Sequence, residues 1–204
     1  MTNGTNRKAP GAATSGAGTR TDTGRASCHA QYTTASPFCQ PTQTPAPTWG
    51  DRKAAADEFW PAVRTLLADL GYRSATPAPV WQDRRGVDIL AGDGARLAWR
   101  HRDAKYLRYA DITLRLAKPS GRRTEVAKLA DGGGADLLLW TWHRGRVLCA
   151  WLLLDAAALR PLLARDWPTT RVDDATFCAV PFVALRDAGA VLAASPDVRR
   201  MMTD

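Results

Sequence analysis

The sequence predicts an α/β domain built around a mixed sheet, behind an unfolded leader, and three observations point there. Apolar residues recur at helical spacing between 59 and 70, then as short runs bounded by Gly and Pro, then at helical spacing again. The runs at 137–142 and 147–154 are almost continuously apolar, the pattern of strands covered on both faces. Residues 1–48 are rich in Thr, Ala, Gly and Pro and show no hydrophobic period. Such a segment cannot bury enough apolar area to offset the entropy of ordering. The expectation is a disordered tail over 1–48 and a single domain over 51–200.

The elements follow in order. Phe59, Val63, Leu66, Leu67 and Leu70 mark one face of a helix that Gly71 ends, with Pro61 in its first turn or at a kink. A Pro-rich connection (Pro77, Pro79) leads to a strand at 86–90. The Gly92-Asp93-Gly94 turn leads to a second strand at 96–105, and a third follows at 112–116. Lys118-Pro119-Ser120-Gly121 breaks the chain before a helix at 122–130, which Gly132 to Gly134 terminates. Strands at 137–142 and 147–154 follow, and Asp155 caps a helix reaching about 163. The remaining residues read as an accessory layer: a strand at 177–180, a short helix opened by Pro181, and a strand at 190–193.

Composition narrows the function classes. No run of 18 apolar residues exists, so no membrane-spanning helix is expected, and the N-terminus lacks the apolar core of a secretory signal. Four cysteines do not make a disulfide scaffold, so a cytoplasmic setting is expected. Cys28, His29 and Cys39 in the leader lack a fourth ligand at zinc spacing, and Cys149 and Cys178 read as small buried hydrophobes. The net charge of +8 is uneven, because residues 84–128 hold twelve Lys and Arg against five Asp and Glu. A basic block of this kind raises the local concentration of a polyanion such as nucleic acid. A solvated basic face, or one that meets an acidic protein, remains open. Trp99, Trp140, Trp142 and Trp151 fall at strand positions and read as core. Trp81 and Trp167 lie in loop-like contexts and are candidates for base stacking.

There is no phosphate-binding Gly-rich loop ending in Gly-Lys-Ser/Thr, no Gly-x-Ser-x-Gly elbow and no helical histidine pair. One constellation does carry chemistry. Asp88 enters the first strand, and Asp103-Ala104-Lys105 lies at the far end of the second. Alternation puts Leu97, Trp99, His101, Asp103 and Lys105 on one face. A hairpin through the Gly92-Asp93-Gly94 turn could bring Asp103 and Lys105 toward Asp88. Two carboxylates beside an ammonium would hold Mg²⁺ through hard oxygen ligands, lower the pKa of a bound water and stabilise developing charge.

At these residues, over about 52–142, the chain resembles the PD-(D/E)xK nuclease superfamily. The resemblance implies a restriction-endonuclease-like αβββαβ core with a mixed central sheet flanked by helices. It also implies hydrolysis of nucleic-acid phosphodiester bonds with Mg²⁺ or Mn²⁺, DNA favoured over RNA as partner. Asp88 and Asp103 then match the metal ligands, Glu58 an additional acidic ligand, and Lys105 the lysine that assists the attacking water. Arg84, Arg85, Arg100, Arg102, Arg108, Arg122 and Arg123 are the expected phosphate contacts. A different register, with Arg100-His101-Arg102 in the slot of the acidic-x-Lys triplet, predicts a relative that binds nucleic acid or a protein partner without catalysis.

Overall fold

The helix that the spacing predicts over 59–70 forms, and a second helix precedes it. In the computed structural model, which describes residues 49–203 apart from 119, 133 and 173, α1 spans Trp49–Asp57 and α2 spans Trp60–Asp69. Pro61 takes the first turn of α2, where its missing N–H has no helical partner to lose. Gly71, at φ +94°, ends the helix. The N–H of Tyr72 donates to Leu67 O at 2.8 Å and that of Gly71 to Ala68 O at 3.0 Å, which satisfies two terminal carbonyls. The leader, with Cys28, His29 and Cys39, lies outside the described residues.

The first hairpin follows β1 (Thr76–Pro77) and α3 (Val80–Asp83), and is made by β2 (Ile89–Leu90) and β3 (Arg96–Asp103). Its turn falls at the predicted tripeptide, with Gly94 at φ +90° and the Asp93 carboxylate accepting the Ala95 N–H at 3.0 Å. β3 stops at Asp103, short of the predicted 105. The Asp103 carboxylate accepts the Lys105 N–H at 2.8 Å and starts a 3₁₀ turn, Ala104–Tyr109. β4 (Asp111–Ala117) and α4 (Glu125–Ala130) follow. Thr124 caps α4, so Arg122 and Arg123 precede the helix instead of opening it. Then come β5 (Leu137–Arg144), β6 (Val147–Asp155), α5 (Ala156–Leu163), β7 (Thr169–Val172) and β8 (Ala175–Pro181). The chain closes with α6 (Phe182–Asp187), β9 (Val191–Ala194) and α7 (Pro196–Arg200). Asp155 caps α5 as predicted, accepting the N–H groups of Ala157 and Ala158 at 2.6 and 3.2 Å.

Six strands make a mixed sheet in the order β1-β2-β3-β5-β6-β9, parallel only between β3 and β5. The predicted third strand, β4, is not in it. It pairs with β8 in a separate three-stranded sheet, β4-β8-β7. The C-terminal segment is therefore part of the core and not an accessory layer: β8 completes the second sheet and β9 edges the first. Phe182, Leu185 and Val198 are wholly buried. The strands predicted at 86–90, 96–105 and 112–116 form as β2, β3 and β4, but β1 and α3 precede them and the three do not form one meander.

Alternation along β3 and β5 sorts the main sheet into two faces. Ile89, Leu97, Leu139 and Leu153 pack against Val63 and Leu67 of α2. On the other face Ala98, Leu138, Trp140 and Leu152 pack with Leu129 of α4, Leu159 and Leu162 of α5, and Ile112 and Leu114 of β4. Trp140 and Trp142 are core residues as predicted, whereas Cys149 is exposed and only Cys178 of that pair is buried. No helix among the described residues is long and apolar enough to cross a membrane.

Leu139 has no exposed surface and joins β5 to the α2 layer. Leu139→Ala should cost about 2–5 kcal/mol, read as a lower urea midpoint at an unchanged slope. An unmoved midpoint would mean that α2 is not packed on this face.

Candidate functional site

The hairpin turn sets the pairing Ile89↔Leu97, which places Asp88 across from Ala98, on the face that α4 covers. The Asp88 N–H donates to Leu97 O at 2.8 Å, and its Oδ2 accepts the Trp99 N–H at 2.7 Å. The carboxylate thus stands in for a backbone carbonyl and prolongs the ladder. The same face of β3 carries Arg100. Its Nη1 lies 3.1 Å from Asp88 Oδ2, and its Nε lies 2.8 Å from Glu125 Oε1 in the first turn of α4. Glu125 Oε2 accepts the Arg115 N–H at 3.1 Å. The three side chains are each a quarter exposed or less.

Asp83 and Lys128 complete the cluster, and the electrostatics agree with the contacts. Burial works against charge on Arg100, but Glu125 and Asp88 raise its pKa above the ordinary arginine value. Burial likewise works against the Glu125 carboxylate, yet Arg100, the Arg115 N–H and the neighbouring guanidinium groups hold its pKa below the usual range. Asp83 is raised by burial and by Asp88 beside it, and Lys128 is lowered by burial and by Arg100. A cavity of about 20 Å³ opens among Arg85, Gly86, Arg100, Glu125, Lys128 and Trp140, room for one water molecule.

The predicted triad is not assembled. Asp88 faces Ala98 and Arg100, whereas Asp103 belongs to the opposite face with Leu97, Trp99 and His101. Four residues of strand, roughly 13 Å, separate Asp103 from Trp99, whose N–H Asp88 holds. Asp103 is exposed and bonded to the Lys105 N–H, which lowers its pKa first, with the Lys105 and His143 charges adding to this. Lys105 is in the 3₁₀ turn, not on the strand, with Nζ 5.2 Å above the Tyr106 ring. Glu58, on the α1–α2 link, lines an open groove with Phe59 and Arg146. The residues present therefore do not fit a magnesium ion. Asp88 and Glu125 already accept from Arg100 and from backbone N–H groups, and the other predicted ligands lie elsewhere. Among the described residues no group of three or more His, Cys, Asp or Glu is arranged to hold a metal.

Of the expected phosphate contacts, Arg100 is engaged inside the cluster and Arg123 pairs with Asp131. Arg84, Arg85, Arg108 and Arg122 are exposed and Arg102 is half-buried. None of these five has an ion-pair partner among the described residues. Trp81 is 59% exposed, as a stacking residue requires, whereas Trp167 is not free: its Nε1 donates to Leu162 O at 2.6 Å against the core. The chain matches no protein-family model and no curated protein sequence.

The opposite face of β3 carries an aromatic cluster. His101 stacks on His143 with ring centroids 4.5 Å apart and lies 4.1 Å from Phe59. Its Nδ1 is 2.8 Å from Thr141 Oγ1, which also accepts the Trp99 Nε1 proton at 2.9 Å. Burial first, then the neighbouring His143, lowers the His101 pKa from 6.5 to about 4. Sequence reasoning missed this cluster and the role of Arg100 between Asp88 and Glu125. The available signals were the shared parity of positions 98, 100 and 102, and the three-residue spacing of Glu125 and Lys128.

Two outcomes follow from these contacts. Arg100→Met keeps the aliphatic stem but leaves two half-buried carboxylates without their cation, and should cost on the order of 3 kcal/mol in urea unfolding. Arg100→Met/Glu125→Gln should recover part of that loss, whereas purely additive losses would show that the two groups do not interact. Because the folded pKa of His101 lies below 6.5, the unfolded chain takes up that proton first. Stability should fall as pH drops from about 6.5 to about 4, and His101→Phe should flatten the fall in that window.

Proposed function

We propose that the chain is a nucleic-acid-binding α/β domain, built on a nuclease-like hairpin frame but without hydrolytic chemistry. The observation that carries this reading is the pairing of Arg100 with both Asp88 and Glu125, beside an outward set of arginines that have no ion-pair partner among the described residues. A hydrolytic centre would draw its cation from solution and release it. Here the positive charge between the carboxylates is tethered to the strand. Asp88, expected as a metal ligand, joins Glu125 in holding the sheet and α4 together through Arg100 instead.

What remains for a ligand is the basic surface. Arg84 and Arg85 follow α3, next to exposed Trp81, and Arg122 precedes α4. Lys118, Arg108 and Arg102 continue the same excess. Guanidinium groups without a carboxylate partner are suited to phosphate oxygens and position a nucleic acid without reading its bases.

Binding of a labelled oligonucleotide, measured by fluorescence anisotropy at several salt concentrations, tests the reading. Affinity should fall by a large factor between about 50 and 200 mM salt and be the same in EDTA as in Mg²⁺. Arg84→Ala/Arg85→Ala should reduce the steepness of that salt dependence by roughly 1.4–1.8 in log–log slope. No strand cleavage should appear with Mg²⁺ or Mn²⁺. Metal-dependent cleavage by the purified chain, or no affinity at low salt, would overturn the proposal.

A further inference from the structure

We infer that the 3₁₀ turn Ala104–Tyr109 is a stacking platform for single-stranded nucleic acid, with Arg102 and Arg115 taking the adjoining phosphate; this rests on the nucleic-acid-binding reading above. The turn is held at both ends. The Asp103 carboxylate caps its start, Leu107 is buried beneath it, and Ala110 O accepts the Phe182 N–H at 2.8 Å just beyond it. Everything else on it faces outward. Tyr106 and Tyr109 are 49% and 57% exposed. Lys105 Nζ lies 5.2 Å above the first ring and the Arg108 guanidinium 4.8 Å above the second, and Arg108 Nη2 donates to the Tyr109 hydroxyl at 2.7 Å.

Two large rings are held half-exposed on a short turn, and each keeps a cation against one face. Such a ring offers the face of a base both dispersion and a nearby positive charge. In a 3₁₀ turn, residues three apart lie on one side and about 6 Å apart along the axis. That is nearly twice the roughly 3.4 Å that separates neighbouring nucleotides along one strand of a duplex, so the pair suits bases drawn out of a continuous stack.

The phosphate side comes from charges the cluster around Arg100 leaves over. Glu125 has both oxygens occupied, by the Arg100 Nε and the Arg115 N–H. Arg102 is disfavoured as a charge first by burial; Glu125 offsets this in part, while Arg100 and Arg115 add repulsion and Tyr106 lies within electrostatic range. Arg115 Nε is buried with no hydrogen-bond acceptor among the described residues. Three guanidinium groups, Arg100, Arg102 and Arg115, thus share the single Glu125 carboxylate, an excess of positive charge that an anion would relieve.

The test compares a labelled oligothymidylate with a blunt duplex of equal length. Tyr106→Ala/Tyr109→Ala should weaken the oligothymidylate by roughly tenfold or more, with the salt dependence unchanged, and move the duplex less than about twofold. Tyr106→Phe/Tyr109→Phe should bind as the parent does, since the ring and not the hydroxyl stacks. Arg102→Gln should lower the salt slope by about 0.7. If the parent binds and the alanine variant binds equally well, or loses duplex affinity to the same degree, the platform is wrong and the domain's nucleic-acid reading stands. If the parent binds neither probe at low salt, that reading itself fails. Displacement of oligothymidylate by polyglutamate as efficiently as by unlabelled strand would also overturn the platform, because carboxylates have no base face to stack.

Discussion

One guanidinium joins three parts of this fold. Arg100 reaches the entry of the first hairpin through Asp88 and the first turn of α4 through Glu125, which in turn accepts the Arg115 N–H from the second sheet. The planar fork of arginine suits the task, since its donors are fixed relative to one another and point at two carboxylates at once. An ion pair taken out of water adds little net stability over an apolar substitute, so its value lies in selecting one arrangement. A slip of β3 by one residue would turn Arg100 to the α2 face and bring Trp99 against Glu125. The charge cluster therefore specifies the same register that Leu97 and Ala98 specify by packing.

The strand that carries Arg100 divides two environments. Odd positions on β3 place Trp99 and His101 with Thr141 and Phe59, a neutral aromatic layer in which a histidine stays unprotonated. Even positions place Arg100 and Arg102 among carboxylates and other cations. Because side chains alternate, the four residues Trp99 to Arg102 serve both, and charge remains on the side where α4 and α3 offer partners.

Much of this was legible in the chain itself. The helix at 59–70, the apolar strands at 137–142 and 147–154, the Gly92-Asp93-Gly94 turn and the Asp155 cap all rest on local signals that the structure repeats. The partner of β4 rests on no local signal: Ile112 and Leu114 read as a buried strand whichever sheet receives them. β7 was missed because its four residues are all exposed and show no apolar alternation; only pairing with β8 makes it a strand. The triad expectation failed on two local facts. Aspartate readily accepts an N–H two residues on, so Asp103 ended the strand before Lys105 could join it. Counting pairs back through the turn sets Asp88 against an even position, while Asp103 is odd. The Glu125–Lys128 spacing was visible on α4, but its target across the sheet was not.

The separation of β4 from β8 bears on how this chain is made. Leu114 and Cys178 touch across a sequence distance of 64 residues. On a ribosome, β4 emerges long before the strand that covers its edge. Until then its backbone N–H and C=O groups and the apolar side chains of Ile112 and Leu114 lack their final cover, the condition under which nascent chains associate wrongly. Translation that stops after α5 would release a product with that edge still open, so the C-terminal segment decides whether a newly made copy leaves synthesis with the edge of β4 covered.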